Sequence, residues 1–276
     1  MKELNKRLIV SDCDGTLLTS THIIPDEVRA AICDYVAAGG VFAVCTGRMI
    51  KSILPWVRNL GLKGLVAGYQ GTVIAEIESG KILKKGFLKF DEAAEICRFI
   101  EAQKQFINTY SDEVLYTDIP KDNPYIKRYE DITGVDAVKV GKSMSEYVFE
   151  NKLNCQKITS IVAPSDREWL YTTLLKEYGA RFDVTCSASS LVEVSPLGDN
   201  KGAALEFLAK HFGIDIKDSV AIGDNLNDLS MIKIAGTGVA VGNAVQALKD
   251  AADYVSVTND EGAVAEVIEK FGFKTV

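Results

Sequence analysis

Arg7-Leu8-Ile9-Val10-Ser11-Asp12-Cys13-Asp14-Gly15-Thr16 decides the fold. Its first half is short, apolar and β-branched, with no polar alternation. That is the composition of a parallel strand covered on both faces. It stops at an acid–glycine cluster, which is loop chemistry. Working outward, Asp26 to Ala38 sets Val28, Ala31, Ile32, Tyr35 and Val36 on a helical stripe closed by Gly39-Gly40. Val41 to Cys45 reads as a second buried strand. Met49 to Leu60 reads as a helix offset at Pro55, and Gly64 to Tyr69 holds a third strand. Strand and helix alternate, so a parallel sheet with helices on both faces is expected.

The grammar then changes. Thr72 to Ile77 and Lys81 to Leu88 flank Ser79-Gly80, a hairpin signal. Asp91 to Gln103 is helical, and Phe106 to Tyr110 pairs with Val114 to Thr117. Asn123 to Asn154 is the least legible stretch, with short helical pieces expected around Val138. Lys157 to Ala163 is a strand. Ser165 to Tyr178 is a helix opened by the capping box Ser165–Glu168. Arg181 to Cys186 and Leu191 to Val194 are strands.

From Lys201 the parallel pattern returns. A helix to Phe212 ends at Gly213, followed by strand Val220 to Ile222 and a helix through Met231. Strand Val239 to Val241, helix Ala244 to Ala251, strand Tyr254 to Val257 and helix Gly262 to Phe271 complete it. The expected organisation is an α/β core from residues 1–85 and 189–276, with an α+β domain, 86–188, inserted between.

Composition narrows the function. The 276 residues are 47% hydrophobic and 25% charged, which excludes a disordered or low-complexity chain. A net charge of −7 disfavours a nucleic-acid partner. No apolar run approaches the ~20 residues of a membrane-spanning helix, and no signal-peptide core follows the N-terminus. The six cysteines show no C-x-x-C pair, so a reduced, cytoplasmic protein is expected. Two histidines, His22 and His211, cannot build a multi-histidine zinc site. His22 reads as a solvated loop residue, with an active-site role as the alternative, and His211 as a helix C-terminal dipole partner or surface residue. Chemistry here falls to carboxylates.

Ligands of open parallel sheets bind at the carboxyl ends of the strands. Those ends carry Asp12-Cys13-Asp14-Gly15-Thr16, Thr46-Gly47-Arg48 and Gly223-Asp224-Asn225-Leu226-Asn227-Asp228. Four acids converging on one edge repel unless they share a cation. An oxygen-only donor set suits a hard ion, Mg²⁺. Asp12 and Asp14 are two residues apart, so in extended chain both reach one substrate, one as nucleophile and one as general acid/base. Gly15 permits a tight turn. Thr46 offers a hydroxyl, and Lys201 a positive charge at a helix start. The set suits a phosphoryl group. Competing motifs fail. Gly141-Lys142-Ser143 has Asp136 where a phosphate loop needs glycine, and Gly236-Thr237-Gly238 has Val241 where a third glycine belongs. Cys13 and Cys45 lack the arginine a cysteine phosphatase needs and read as small core or loop residues.

Together these residues resemble the haloacid dehalogenase superfamily. Asp12 to Leu17 resembles its first motif, Thr46-Gly47-Arg48 its second, Lys201 its third, and Gly223-Asp224 through Asn227-Asp228 its fourth. Val239 to Ala244, Lys249, Ala252 to Val255 and Asp260-Glu261-Gly262 resemble the C-terminal signature of the Cof-type subfamily, which carries a large α/β cap between its second and third motifs. The resemblance implies that Asp12 attacks phosphorus and that Asp14 protonates the leaving alcohol, then activates water. Mg²⁺ would be held by Asp12, the Asp14 backbone carbonyl and Asp224, with Asp228 nearby or through water. Thr46, the Gly47 amide and Lys201 would bind the phosphoryl group, with Asn227 ordering the site. One departure stands out: Gln70-Gly71-Thr72 occupies the place of the subfamily's frequent Asn-Gly-Ala.

The expectation is a Mg²⁺-dependent phosphatase of small phosphate monoesters, sugar phosphates or phosphorylated cofactors, acting as a monomer or weak homodimer without nucleic acid or membrane. The alternatives are a phosphomutase or phosphotransferase on the same core, and a non-catalytic phosphometabolite-binding protein.

Overall fold

The computed structural model describes residues 3–120 and 123–274. In chain order the strands are β1 (Leu8–Ser11), β2 (Val41–Val44), β3 (Leu65–Gly68), β4 (Val73–Glu76), β5 (Ile82–Lys85), β6 (Phe106–Ser111) and β7 (Val114–Thr117). They continue with β8 (Ala137–Lys139), β9 (Lys157–Ile161), β10 (Phe182–Ala188), β11 (Leu191–Pro196), β12 (Ser219–Gly223), β13 (Thr237–Ala240) and β14 (Tyr254–Val255).

The central sheet is parallel, in the order β14-β13-β12-β1-β2. All four residues of β1 are buried, because neighbours pair on both edges and helices cover both faces. Register places Ser11 beside both Ile222 and Val44. The residues that follow, Asp12, Gly223-Asp224 and Cys45-Thr46, therefore emerge at one edge. This alignment, set by the apolar strands, assembles the site. Ala67 bridges Cys45 in parallel, so the antiparallel sheet β3-β4-β5 extends the same layer.

A second sheet has the order β10-β11-β9-β6-β7-β8 and is antiparallel except for β7–β8. Its strands alternate. Ile107, Ile158, Val192 and Val194 pack with Ile96, Ile100, Leu170 and Leu174 of the helices behind. Asn108, Tyr110, Lys157, Thr159 and Glu193 fall on the opposite face. The chain crosses between the two layers after β5 and after β11, and the crossings are tied by Lys84 Nζ to Asp199 Oδ1 at 2.6 Å.

Several expectations need correction. The second sheet takes β11 as well as β10, so the return to the first layer follows Pro196, and the 188/189 boundary falls inside a hairpin. The short helical pieces expected around Val138 are Pro124–Thr133 and Met144–Glu150, but Val138 itself lies between them in β8, paired with Tyr116, because a β-branched residue beside an open strand edge completes the ladder. Ser165 does not cap a helix. Its hydroxyl donates to Asp166 Oδ1, and the helix starts at Arg167. Only Gln246–Lys249 of the expected helix Ala244 to Ala251 is α-helical, since the Val245 N–H donates to the Asp224 carbonyl. The chain is held to the site before it can coil. The last helix is Ala263–Val267, continued by a wider turn over Ile268–Gly272. Among the described residues, no helix is long and apolar enough to cross a membrane.

Candidate active site

Asp12 continues the β1 ladder, its N–H donating to the Ile222 carbonyl at 2.9 Å. Its carboxylate is almost wholly buried. Lys201 opens the helix Lys201–Phe212, whose N-cap Asn200 accepts from the Ala203 N–H. The ammonium is completely buried and bridges two acids: Nζ lies 2.5 Å from Asp12 Oδ1 and 2.6 Å from Asp228 Oδ1. The second oxygen of Asp228 accepts from the Asp224 and Asn225 N–H groups at 2.9 and 3.0 Å. Asp228 is thus consumed in holding the lysine and the loop that carries Asp224.

Thr16 Oγ1 donates to Asp224 Oδ1 at 3.0 Å. Gly15 has φ +81°, and a Cβ there would meet Asp224 Oδ2 at 2.8 Å, so the turn requires glycine twice over. Carboxylate oxygens of Asp12, Asp224 and Asp228 lie within 4.8 Å of one another. Burial pushes the Asp12 carboxyl well above its ordinary range, with Asp228 and Asp224 adding to the shift against the pull of Lys201. Burial, then the Asp228 charge, raises Asp224 to about 7. The three crowded carboxylates are an oxygen-only donor set that a hard divalent cation fits, with the Lys201 ammonium offsetting part of their charge.

Asp14 faces differently. Its two oxygens accept from Arg48 Nε at 2.7 Å and Nη2 at 2.5 Å, a bidentate pair. The carboxylate is part-exposed, and the Nδ1 of His22, half-buried rather than free in solvent, stands 3.7 Å away. His211 is exposed at its helix end, and Cys13 and Cys45 are buried. Thr46 Oγ1 accepts from the Arg48 N–H at 3.2 Å.

Asp12, Asp14, Thr46, Gly47 and Asn227 line one cavity of about 260 Å³. Lys201, Asp224 and Asp228 do not line it; they lie behind Asp12, to which Lys201 is paired, and Lys201 lines a neighbouring cavity with Gln70 and Asn227. The opposite wall comes from the second sheet: Lys157, Glu193 and Tyr110. Lys157 and Glu193 are buried together, with Nζ–Oε1 at 2.7 Å, and Lys157 also donates to the Gly47 carbonyl at 2.9 Å.

Gln70 joins the layers. It is buried at φ +61°, donates Nε2 to Glu193 Oε2 at 2.5 Å and accepts from Asn227 Nδ2 at 3.0 Å. A Cβ on Gly47 would sit 2.5 Å from that Nε2, so Gly47 makes room for it. The longer amide at position 70 is therefore a structural link between the layers. Gln70→Ala should lower stability by about 1–2 kcal/mol, because it leaves part of the buried Glu193 carboxylate unpaired. Chemical denaturation of the two proteins measures this.

Sequence reasoning missed Arg48, Lys157 and Glu193. Arg48 stood inside a quoted motif, and its nearness to Asp14 was not readable from spacing. Lys157 and Glu193 lie in ordinary alternating strands, and only the packing of one sheet over another reveals them.

The molecule is thus a parallel α/β core with an acid cluster at its strand ends and a second sheet over them. The profile of the haloacid dehalogenase-like hydrolases matches residues 9–268, and the chain belongs to that family. It is 30% identical to phosphatase YwpJ of Bacillus subtilis (strain 168), covering 95% of this chain and 99% of that protein. It is 29% identical to the HMP-PP phosphatase of Serratia proteamaculans (strain 568), over 95% and 94%. The crystal structure of a haloacid dehalogenase-like hydrolase from Bacteroides thetaiotaomicron is similar at a TM-score of 0.80 and 28% identity, over 96% and 99%.

Proposed function

We propose that this protein is a magnesium-dependent phosphatase of small phosphate monoesters, sugar phosphates or phosphorylated cofactors, working through an aspartyl-phosphate on Asp12. One observation carries the reading: Asp12 is buried against Lys201 at the head of a cavity that also holds Asp14. A buried carboxylate with a fixed cation beside it is poised to attack an anionic phosphoryl group, whose oxygens the lysine would neutralise. The Serratia relative is named an HMP-PP phosphatase, which supports a phosphorylated substrate.

In this reading an Asp12 oxygen bonds to phosphorus as the phosphorus–alcohol bond breaks. Asp14 gives its proton to the departing alkoxide. It then takes one from the water that cleaves the acyl phosphate, returning Asp12 and releasing phosphate. Thr46, the Gly47 N–H and Lys201 hold the phosphoryl oxygens, and Asn227 keeps the Gln70 wall in place. Arg48 orients the Asp14 carboxylate. Asp12, Asp224 and the Asp14 backbone carbonyl would hold the metal, with Asp228 positioning them. The ion supplies charge neutralisation for the transferring phosphoryl group.

The test is phosphate release from a panel of sugar phosphates, nucleotides, pyridoxal phosphate and flavin mononucleotide, with Mg²⁺ and with a chelator. Release that survives full chelation would overturn the metal role. Release from none of the esters would overturn the phosphatase reading.

A pH dependence follows from Asp224. With its carboxyl at about 7 in the metal-free protein, a proton must leave before a cation binds. Apparent Mg²⁺ affinity should therefore rise between about pH 6 and pH 8. Metal titrations at several pH values check this, and an affinity flat across that window would refute it. The same raised group favours the metal-free fold at low pH, and that contribution is lost as pH climbs through about 7.

A further inference from the structure

In the phosphatase reading the loop Thr46-Gly47-Arg48 meets the phosphoryl group. All three of its carbonyls are held. The Thr46 carbonyl accepts from the Gln70 N–H and the Arg48 carbonyl from the Tyr69 N–H, both at 2.9 Å. The Gly47 carbonyl between them accepts from Lys157 Nζ at 2.9 Å. The Thr46 carbonyl and the Gly47 N–H belong to one planar trans peptide and point in opposite directions. The bond from Gln70 therefore aims the Gly47 N–H, which has no partner among the described residues.

Tyr69 and Gln70 make these bonds from an unusual backbone. Their φ angles are +51° and +61°, a left-handed pair with no glycine in it. Residues with a Cβ disfavour that region and keep it only where their surroundings impose it. Both side chains are held by the second sheet. Gln70 donates to Glu193. Tyr69 is wholly buried, and its hydroxyl donates to Glu113 Oε1 at 2.8 Å.

Glu113 stands at the tip of the β6–β7 hairpin. Asp112 and Glu113 have φ +49° and +63° between the paired residues Ser111 and Val114, the tight two-residue turn that twisted strands favour. The second oxygen of Glu113, Oε2, accepts from the Lys51 N–H at 2.7 Å. Lys51 lies in the first turn of the helix Ile50–Asn59, which has no acid there and no capping side chain on Met49. Open N–H groups at a helix start favour a carboxylate. This one comes from 62 residues away. A single carboxylate thus holds the helix that the loop runs into and the pair that fixes the loop's carbonyls.

We propose that Glu113 is a positioning residue for phosphoryl transfer. It keeps Tyr69-Gln70 in the left-handed conformation and the helix start in place, and so aims the Gly47 N–H at the phosphoryl group. This rests on the phosphatase reading above. Glu113 is not among the residues that line the cavity, and it acts through Tyr69 and Lys51.

Tyr69→Phe removes one hydroxyl, and Glu113→Ala removes both bonds. In each variant the layers stay joined by Lys84–Asp199, by Gln70–Glu193 and by the Ser52 hydroxyl, which donates to the Thr133 carbonyl at 2.7 Å. Each change should lower kcat/KM about tenfold, by one factor for every ester of the panel, because the phosphoryl group is common to all. The inhibition constant of inorganic phosphate should rise in step. Mg²⁺ affinity should stay within about twofold of wild type, because no carboxylate of the acid cluster is touched. Glu113→Gln keeps a carbonyl oxygen for the Lys51 N–H and an amide that donates to the Tyr69 hydroxyl oxygen, and should restore most of the rate. Adding Tyr69→Phe to Glu113→Ala should cost little more, since both act through one bond. A kcat/KM within about twofold of wild type in both single variants overturns the proposal. So does a fall in rate with phosphate inhibition unchanged, which marks loss of folded protein alone.

If the wild-type chain releases no phosphate from any ester, the phosphatase reading fails separately. Amide hydrogen exchange, read residue by residue by NMR, then tests the coupling. Exchange at the Tyr69 and Gln70 N–H groups should quicken at least about tenfold in Glu113→Ala. Exchange unchanged at both overturns the positioning role.

Discussion

Asp12→Asn should abolish phosphate release, lowering kcat by at least about a thousandfold, while the fold survives. The amide is the size of the carboxylate but is not a nucleophile towards phosphorus. Burial and the neighbouring acids already oppose the Asp12 charge, so a neutral group there relieves repulsion among Asp12, Asp224 and Asp228. Lys201 keeps Asp228 at 2.6 Å and is not left alone. Metal-free melting temperature should therefore stay within about 3 °C of wild type. A stopped assay for inorganic phosphate, run beside a thermal melt, reads both. Turnover retained by the variant would rule out attack by Asp12.

Lys201→Met should have the opposite profile, with a large loss of stability as well as of activity. Methionine fills the space of the lysine stem, but Asp12 and Asp228 lose the cation they share. Removing one partner of a buried ionic cluster costs about 3–5 kcal/mol, since the remaining charges stay out of water. A divalent ion bound to the acids would offset part of this, about 2.7 kcal/mol at a hundred times its dissociation constant. Denaturation with chelator and with magnesium separates the two contributions. A variant as stable as wild type in chelator would show that Lys201 does not bear the charge balance of the site.

These two residues also show how much the sequence discloses. Asp12 was legible because a parallel strand buried on both faces has one apolar signature and one place for its ligand-binding end. Lys201 was legible as a helix start, bounded by Gly213 at φ +62°. Its two carboxylate partners are 189 and 27 residues away, and only strand register supplies their meeting. The second sheet was less readable. Val138 lies in an edge strand whose partner had to be known first. The helix expected over Ala244 to Ala251 was shortened by a carbonyl of the acid loop. Glu193 sits in a strand beyond the expected domain boundary, and its two partners, Gln70 and Lys157, lie in two separate segments. Local periodicity reports which face of a strand is apolar. It carries no information about what is laid over the polar one.

The Lys84–Asp199 pair, which ties the two crossings between layers, has an evolutionary consequence. The segment between them leaves and rejoins the core at neighbouring points, so the core strands need not be rearranged when that segment is lengthened, exchanged or removed. A short bridge from Lys85 to Asp199 would close the gap. Drift or recombination can therefore act within one contiguous coding block, while Asp12, Asp14, Thr46, Lys201 and Asp224, which all lie outside it, are inherited together.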